Sequence, residues 1–336
     1  MLFYKSIKYN KIHYELLTIF LGIFLTANFI FAQVFSSTKD LVNLGQINPS
    51  FLKAYTDVNV IAAWQAVEDA DPELRTVKIG IIDSGVDVNH PEFEGVNFGN
   101  TPQNARFDHD PTGHGTQVTG IIGANNISAA SPSNYISPQM NGVVSGINGL
   151  DYVIEHRYDG GPNVFKVLAQ IFELSVIEDV DIINISSAFS FSNCSTVLTN
   201  IAEGLFFPAI GLYSDVLFVV SAGETTQIVT DAECFLPGAL GNNLDNLINV
   251  GGLDITGENR WANSPFGDAV NFAAPAVNVY APRPPFMGES DGQYDEFFGG
   301  TSASAPLVAG AAAIIKAIDP ADLTPELLSA MGFAGR

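Results

Sequence analysis

Positive charge is scarce in this chain: 14 Lys and Arg stand against 36 Asp and Glu, a formal charge of -22 over 336 residues. Phosphate backbones are held by cationic surfaces, so the deficit argues against a nucleic-acid partner. Spread over a globular surface it keeps a protein soluble and biases substrates toward basic peptides. Cysteine is nearly absent, with Cys194 and Cys234 alone. They are not closely spaced and no H-x-x-x-H occurs, so zinc has no ligand set. A G-x-S-x-G elbow is also missing, which excludes the strand-to-helix serine turn of the esterases. After the first 32 residues no apolar run is long enough to cross a membrane.

What is present is a set of three stretches. Val77–Asp87 reads as a buried strand that ends at Asp83 and turns on glycine. Thr112–Thr116 places His114 between two glycines and opens a helical run, Gln117 to Ile122. Gly299–Pro306 sets Ser302 in a glycine turn before a helix of small and apolar residues that runs on through Ile315. Serine is a poor nucleophile at neutral pH and needs a rigid turn and a neighbouring base. A helix start adds backbone N–H groups and a positive dipole end where an oxyanion would form. The bland alternative for Ser302 is an ordinary helix cap. An Asp, a His and a Ser, each at a strand end or a helix start, are instead the parts of a hydrolytic triad. His13, His90, His109 and His156 read as surface or packing residues, and a metal cluster of Asp108, His109, Asp110 and His114 is set aside for want of ligand spacing.

The blocks IIDSGVDVNHPEF, GHGTQVTGII and GGTSASAPLVAGAAAII together resemble the subtilisin-like serine proteases, with weaker likenesses at VDIINIS, FVVSAG and NFAAPAVNVYAP. The resemblance covers residues 52 to 330 or so and implies a fold: a doubly wound parallel α/β sheet with helices on both faces. It also implies roles. Asp83, His114 and Ser302 form the triad, and Thr301 and Glu224 belong to the oxyanion region. The backbone of Ser186, Ser187 and Ala188 offers an edge to an extended peptide. Ser221, Ala222 and Gly223 form the wall of the pocket for the side chain before the scissile bond, and small walls suggest room for large apolar groups. Two departures stand out: Ala188 replaces a usual glycine, and Glu224 replaces the usual asparagine donor. An ionised carboxylate cannot donate, so either a protonated Glu224 or a donor from Thr225, Thr226 or Gln227 would have to serve. No cofactor is required; calcium could be held by oxygens of Glu92, Asn125 or Asn126, although Glu92 reads first as a plain surface carboxylate.

Lys5, Lys8 and Lys11 precede the apolar run Leu16 to Ala32, the layout of a signal peptide cut after Ala32. Residues 33–51 form a leader shorter than the folded propeptide usual among secreted subtilases. Residues 52–336 form the catalytic domain, in which short helices are expected at Ala62–Val67 and Pro325–Met331 and an amphipathic one at Val164–Ile177 with Phe165, Leu168, Ile171 and Phe172 inside. Cys194 and Cys234 are expected to pair once exported. The whole reads as a secreted, single-domain, monomeric serine endopeptidase that acts on peptides or proteins and meets the membrane only during export. A catalytically weak subtilase that binds peptides is the alternative, and Glu224 is its motive.

Overall fold

The computed structural model describes residue 54 and residues 58–101, 110–125, 140–158, 163–190, 196–225, 231–284 and 294–319. The expected signal segment and leader, Cys194 and the last expected helix lie outside the described residues. In chain order the elements are α1 (Val60–Ala70), β1 (Val77–Asp83), α2 (His114–Gly123), β2 (Tyr152–Tyr158), α3 (Val164–Phe172), β3 (Ile182–Ile185), β4 (Phe189–Ser190), α4 (Thr196–Gly211), β5 (Leu217–Ser221), β6 (Phe235–Leu236), β7 (Leu247–Leu253), β8 (Phe272–Pro275), β9 (Val279–Pro282), β10 (Tyr294–Phe298) and α5 (Thr301–Ala317).

Six strands pair in parallel in the order β2-β1-β3-β5-β7-β8. β2 lies on one side of β1 and β3 on the other, so the winding reverses at β1. In such sheets the crevice at that reversal, beyond the carboxyl ends of the strands, is where ligands bind. Register then fixes the neighbours: Ile82 pairs with Ile185, which brings Asp83 and Ser186 side by side at the strand ends.

Strand residues alternate between two cores, as the period of a strand requires. Ile79, Ile81, Ile182 and Val219 face a core built with α1, α2 and α5. Ile82, Ile183, Phe218 and Val220 face a second one built with α3 and α4. Helix α5 is buried along its whole length except at Ser302 and Lys316. Its alanines and glycines permit this: a Cβ on Gly310 would stand 2.5 Å from Val143 Cβ, so a larger residue would drive the two segments apart.

Sequence pattern and structure differ at α3. The helix gives way at Glu173 to a π-helical turn, Glu173–Ile177, and its inner stripe is Val167, Ile171 and Leu174. Phe165 and Phe172, expected inside, are 73% and 51% exposed. Spacing decides the outcome: Val167, Ile171 and Leu174 recur at i, i+4 and i+7, which puts the two phenylalanines on the flank. Helix α1 is longer than expected and is anchored by Trp64, whose Nε1–H donates to Val143 O at 2.7 Å. Among the described residues no helix is long and apolar enough to cross a membrane.

Candidate active site

Asp83 closes β1 and is 2% exposed. Its Oδ1 accepts the N–H of Ser84 and lies 2.7 Å from His114 Nδ1. Burial by itself would push this carboxyl up, but the charge of His114, the hydrogen bond to it and the Ser84 N–H outweigh that and hold Asp83 below its ordinary value. An acidic partner on Nδ1 fixes the imidazole tautomer and leaves Nε2 to act as base.

His114 is held by the way its helix begins. Gly113, at the N-cap, has φ 79, a conformation that glycine adopts without strain, and offers no side chain to cap the helix. The first three N–H groups of α2 find other acceptors: His114 N–H donates to Thr112 Oγ1, Gly115 N–H to Ser84 Oγ and Thr116 N–H to Asp110 Oδ2. Asp110, 0% exposed, also accepts from Ser84 Oγ and Thr112. Ser84 and Asp110 thus tie the start of the histidine helix to the strand that carries Asp83. No local pattern in the sequence marks Asp110 for this part.

Ser302 sits in the first turn of α5, after Gly300 at φ 81. Its hydroxyl donates to Ser186 O at 2.9 Å. Since Ser186 stands beside Asp83 across the β3–β1 register, this bond holds the Ser302 hydroxyl at the same end of the sheet as Asp83, at the winding reversal. Phe298, just before the turn, packs edge-on against the His114 ring. The Thr301 hydroxyl is committed elsewhere: it donates to Gly223 O and accepts from Gly223 N–H, which ties the nucleophile turn to the end of β5.

The remaining predicted residues surround this point. Ser186, Ser187 and Ala188 join β3 to β4, with Ser186 buried and the other two half-buried. Ser221, Ala222 and Gly223 are buried. Phe235 lies close beside them. A Cβ on Gly223 would stand 2.4 Å from Phe235 Cδ1, and Ala188 packs against the pair Cys234 and Phe235. Glu224 is exposed, but its carboxyl leans over the nucleophile turn, since a Cβ on Gly300 would be 2.5 Å from Glu224 Oε1. Glu92 is no surface carboxylate: it is 0% exposed and its Oε1 accepts from Tyr294 Oη–H at 2.6 Å and Met140 N–H at 3.2 Å. Of the other two residues named for calcium, Asn125 donates its N–H to Glu92 O at 2.6 Å and Asn126 lies outside the described residues.

One buried group had no place in the sequence reading beyond packing. His156 on β2 is 2% exposed and pairs in register with Ile81. Burial pushes its imidazole down to about 4, against the pull of Asp83 and Asp110, with Arg157 adding to the depression.

An acid, an imidazole and a hydroxyl gathered at the carboxyl ends of a doubly wound sheet are the equipment of a serine hydrolase. The chain belongs to the subtilase family, whose model matches residues 75–331. It is similar to Subtilisin-like protease 1 of Plasmodium berghei (strain Anka), 29% identical over 284 residues that make up 75% of this chain and 44% of that protein. It is also similar to Subtilisin DY of Bacillus licheniformis, 26% identical over 239 residues, 71% of this chain and 76% of that one. The chain thus spans less than half the length of the first of these relatives. Among solved structures it is similar to MycP1 with its N-terminal propeptide removed, with a TM-score of 0.57 at 19% identity over 82% of this chain and 86% of that one. A lanthipeptide protease gives 0.53 at 24% identity over 76% and 79%. At such identities these likenesses carry the fold alone.

Proposed function

We propose that the chain is an exported serine endopeptidase that cleaves peptide bonds through an acyl-enzyme. The observation that carries this reading is the 2.7 Å contact of His114 Nδ1 with buried Asp83, beside a serine at a helix start. The hydroxyl of Ser302 first turns from Ser186 O toward His114. As Oγ attacks the scissile carbonyl, His114 takes its proton and Asp83 balances the imidazolium. The N–H of Ser302, at the positive end of α5, faces the oxyanion. His114 then returns the proton to the leaving amine, and water repeats the sequence on the acyl group. Phe235 against Gly223 favours a small side chain before the scissile bond, in place of the large one that small walls alone suggested. Export follows from the basic start and apolar run of the first 32 residues.

A fluorophosphonate probe tests the mechanism, with peptides carrying Ala or Phe before the bond to be cut. The parent is expected to be labelled and to prefer Ala, and Ser302→Ala to lose the label and roughly 10⁶ in kcat. Peptide hydrolysis that survives Ser302→Ala refutes it. Glu224 favours a second reading, a peptide-binding homologue with little turnover, and a parent that binds peptides without labelling supports that one.

We also propose that Cys234 pairs with Cys194. Cys234 is buried and is not a free thiol. The residue after it, Phe235, pairs with Ser190, four residues before Cys194. Alkylation of the unreduced secreted protein is expected to leave its mass unchanged; two alkylated thiols would disprove the bridge.

A further inference from the structure

His156 is held rigidly in β2: its N–H donates to Thr101 Oγ1 at 2.8 Å and its carbonyl accepts from Arg157 Nη1 at 3.0 Å. The ring projects toward the start of the histidine helix. A Cβ built on Gly115 would stand 2.1 Å from Gly85 O, 3.0 Å from His156 Nε2 and 3.1 Å from Asp83 Oδ1, so the imidazole nitrogen and the carboxylate converge with that carbonyl on the bare Cα of the glycine. His156 Nε2 and the other oxygen of Asp83, Oδ2, are buried and make no hydrogen bond among the described residues. A buried polar group of this kind is costly to leave unpaired. A carboxylate only accepts, so a neighbouring imidazole nitrogen complements it only by carrying a proton.

We propose that His156 is a positioning residue for the triad: a neutral imidazole, with its proton on Nε2, whose N–H dipole faces the negative charge of Asp83 and so sets the basicity of His114. The groups that face it are Asp83 from β1 and Asp110 from the segment before α2, with Arg157 next to it on its own strand. Asp83 and Asp110 draw positive charge toward the ring, while burial and Arg157 keep it from taking a second proton. Charge drawn from Asp83 by His156 is no longer available to stabilise the imidazolium of His114. The intact arrangement therefore keeps His114 less basic than an aspartate facing His114 alone would.

The inference rests on the peptidase reading only in giving His114 the role of base, and its test reads the resting protein rather than turnover. Histidine ring nitrogens of the full chain, labelled with ¹⁵N, are followed by long-range proton–nitrogen spectra across pH. In the parent at neutral pH, Nε2 of His156 is expected to carry the proton and its signal to shift in Asp83→Asn. In His156→Phe, His114 is expected to titrate about one pH unit higher, and in His156→Gln, which keeps a donor, close to the parent. A proton on Nδ1 of His156, or the same His114 titration in all three proteins, overturns the proposal. The tautomer is read on the parent, so a misfolded phenylalanine variant does not blunt the test. Failure of fluorophosphonate labelling with His114 shifted as expected would count against the peptidase and leave the coupling standing.

Discussion

Glu224 places opposite demands on folding and on catalysis. Its carboxyl leans over Gly300 at the positive end of α5, where an anion stabilises a helix, and where the oxyanion of an acyl transfer has to form. Two negative charges at one helix start repel. Glu224→Asn removes the charge and supplies an N–H donor, and is expected to raise kcat/KM at neutral pH by roughly 10²–10³ without raising the melting temperature. Steady-state kinetics on one peptide checks this; no gain would show that other donors already fill the oxyanion position and that Glu224 swings away. Residues of this kind divide by how local their signal is. Asp83, His114 and Ser302 were legible because each stands in its own glycine turn at the edge of an apolar run. Asp110 and His156 were not. Their importance arises from the register of β1 with β2 and from the cap of a helix distant in sequence, and no local pattern records either.

At the level of elements, the start of α2 is the part most exposed to a single change. Three side chains, from Thr112, Ser84 and Asp110, replace the missing cap at Gly113, and Asp110 is the buried acceptor on which the other two converge. Hydrogen bonds to a charged acceptor contribute about 1.5–3 kcal/mol each when their loss strands a buried donor. Asp110→Ala is expected to cost about 2–4 kcal/mol, which for a chain of this size lowers the melting temperature by roughly 5–15 °C. Because the same contacts aim His114, kcat should fall by tenfold or more below the melting transition, since small misplacements of a catalytic group are costly. Calorimetry and kinetics on the one variant test both; a protein that melts and turns over like the parent would show the cap to be idle. Both helix starts at the site were readable from glycine next to His114 and Ser302. The face of α3 was not, because Phe165 and Phe172 are apolar enough to be read as core, and only packing against the second core shows that Val167, Ile171 and Leu174 take that place.

For the molecule as a whole, pH acts through groups that folding moves away from their ordinary affinity for protons. His156 falls from 6.5 to about 4 on burial. Between those values the unfolded chain holds a proton that the folded chain refuses, so stability rises with pH through that window and is lost on acidification from about 6.5 toward 4. The full span corresponds to a loss of the order of 3 kcal/mol. Asp83, held below its ordinary value, acts later: its contribution is present above the unfolded pKa of about 3.9 and lost as pH falls through the folded value. Glu155, raised first by burial, works in the opposite sense. So does the relief of self-repulsion in a chain with a formal charge of -22 as its carboxylates take up protons. Bulk acid sensitivity therefore mixes several groups, and a difference isolates one of them. Melting curves of the parent and His156→Gln at pH 7 and pH 4.5 are expected to show a larger acid loss in the parent, because glutamine has no proton to refuse. Equal losses in the two proteins would place the acid sensitivity elsewhere and show that His156 is not the group that resists protonation in the fold.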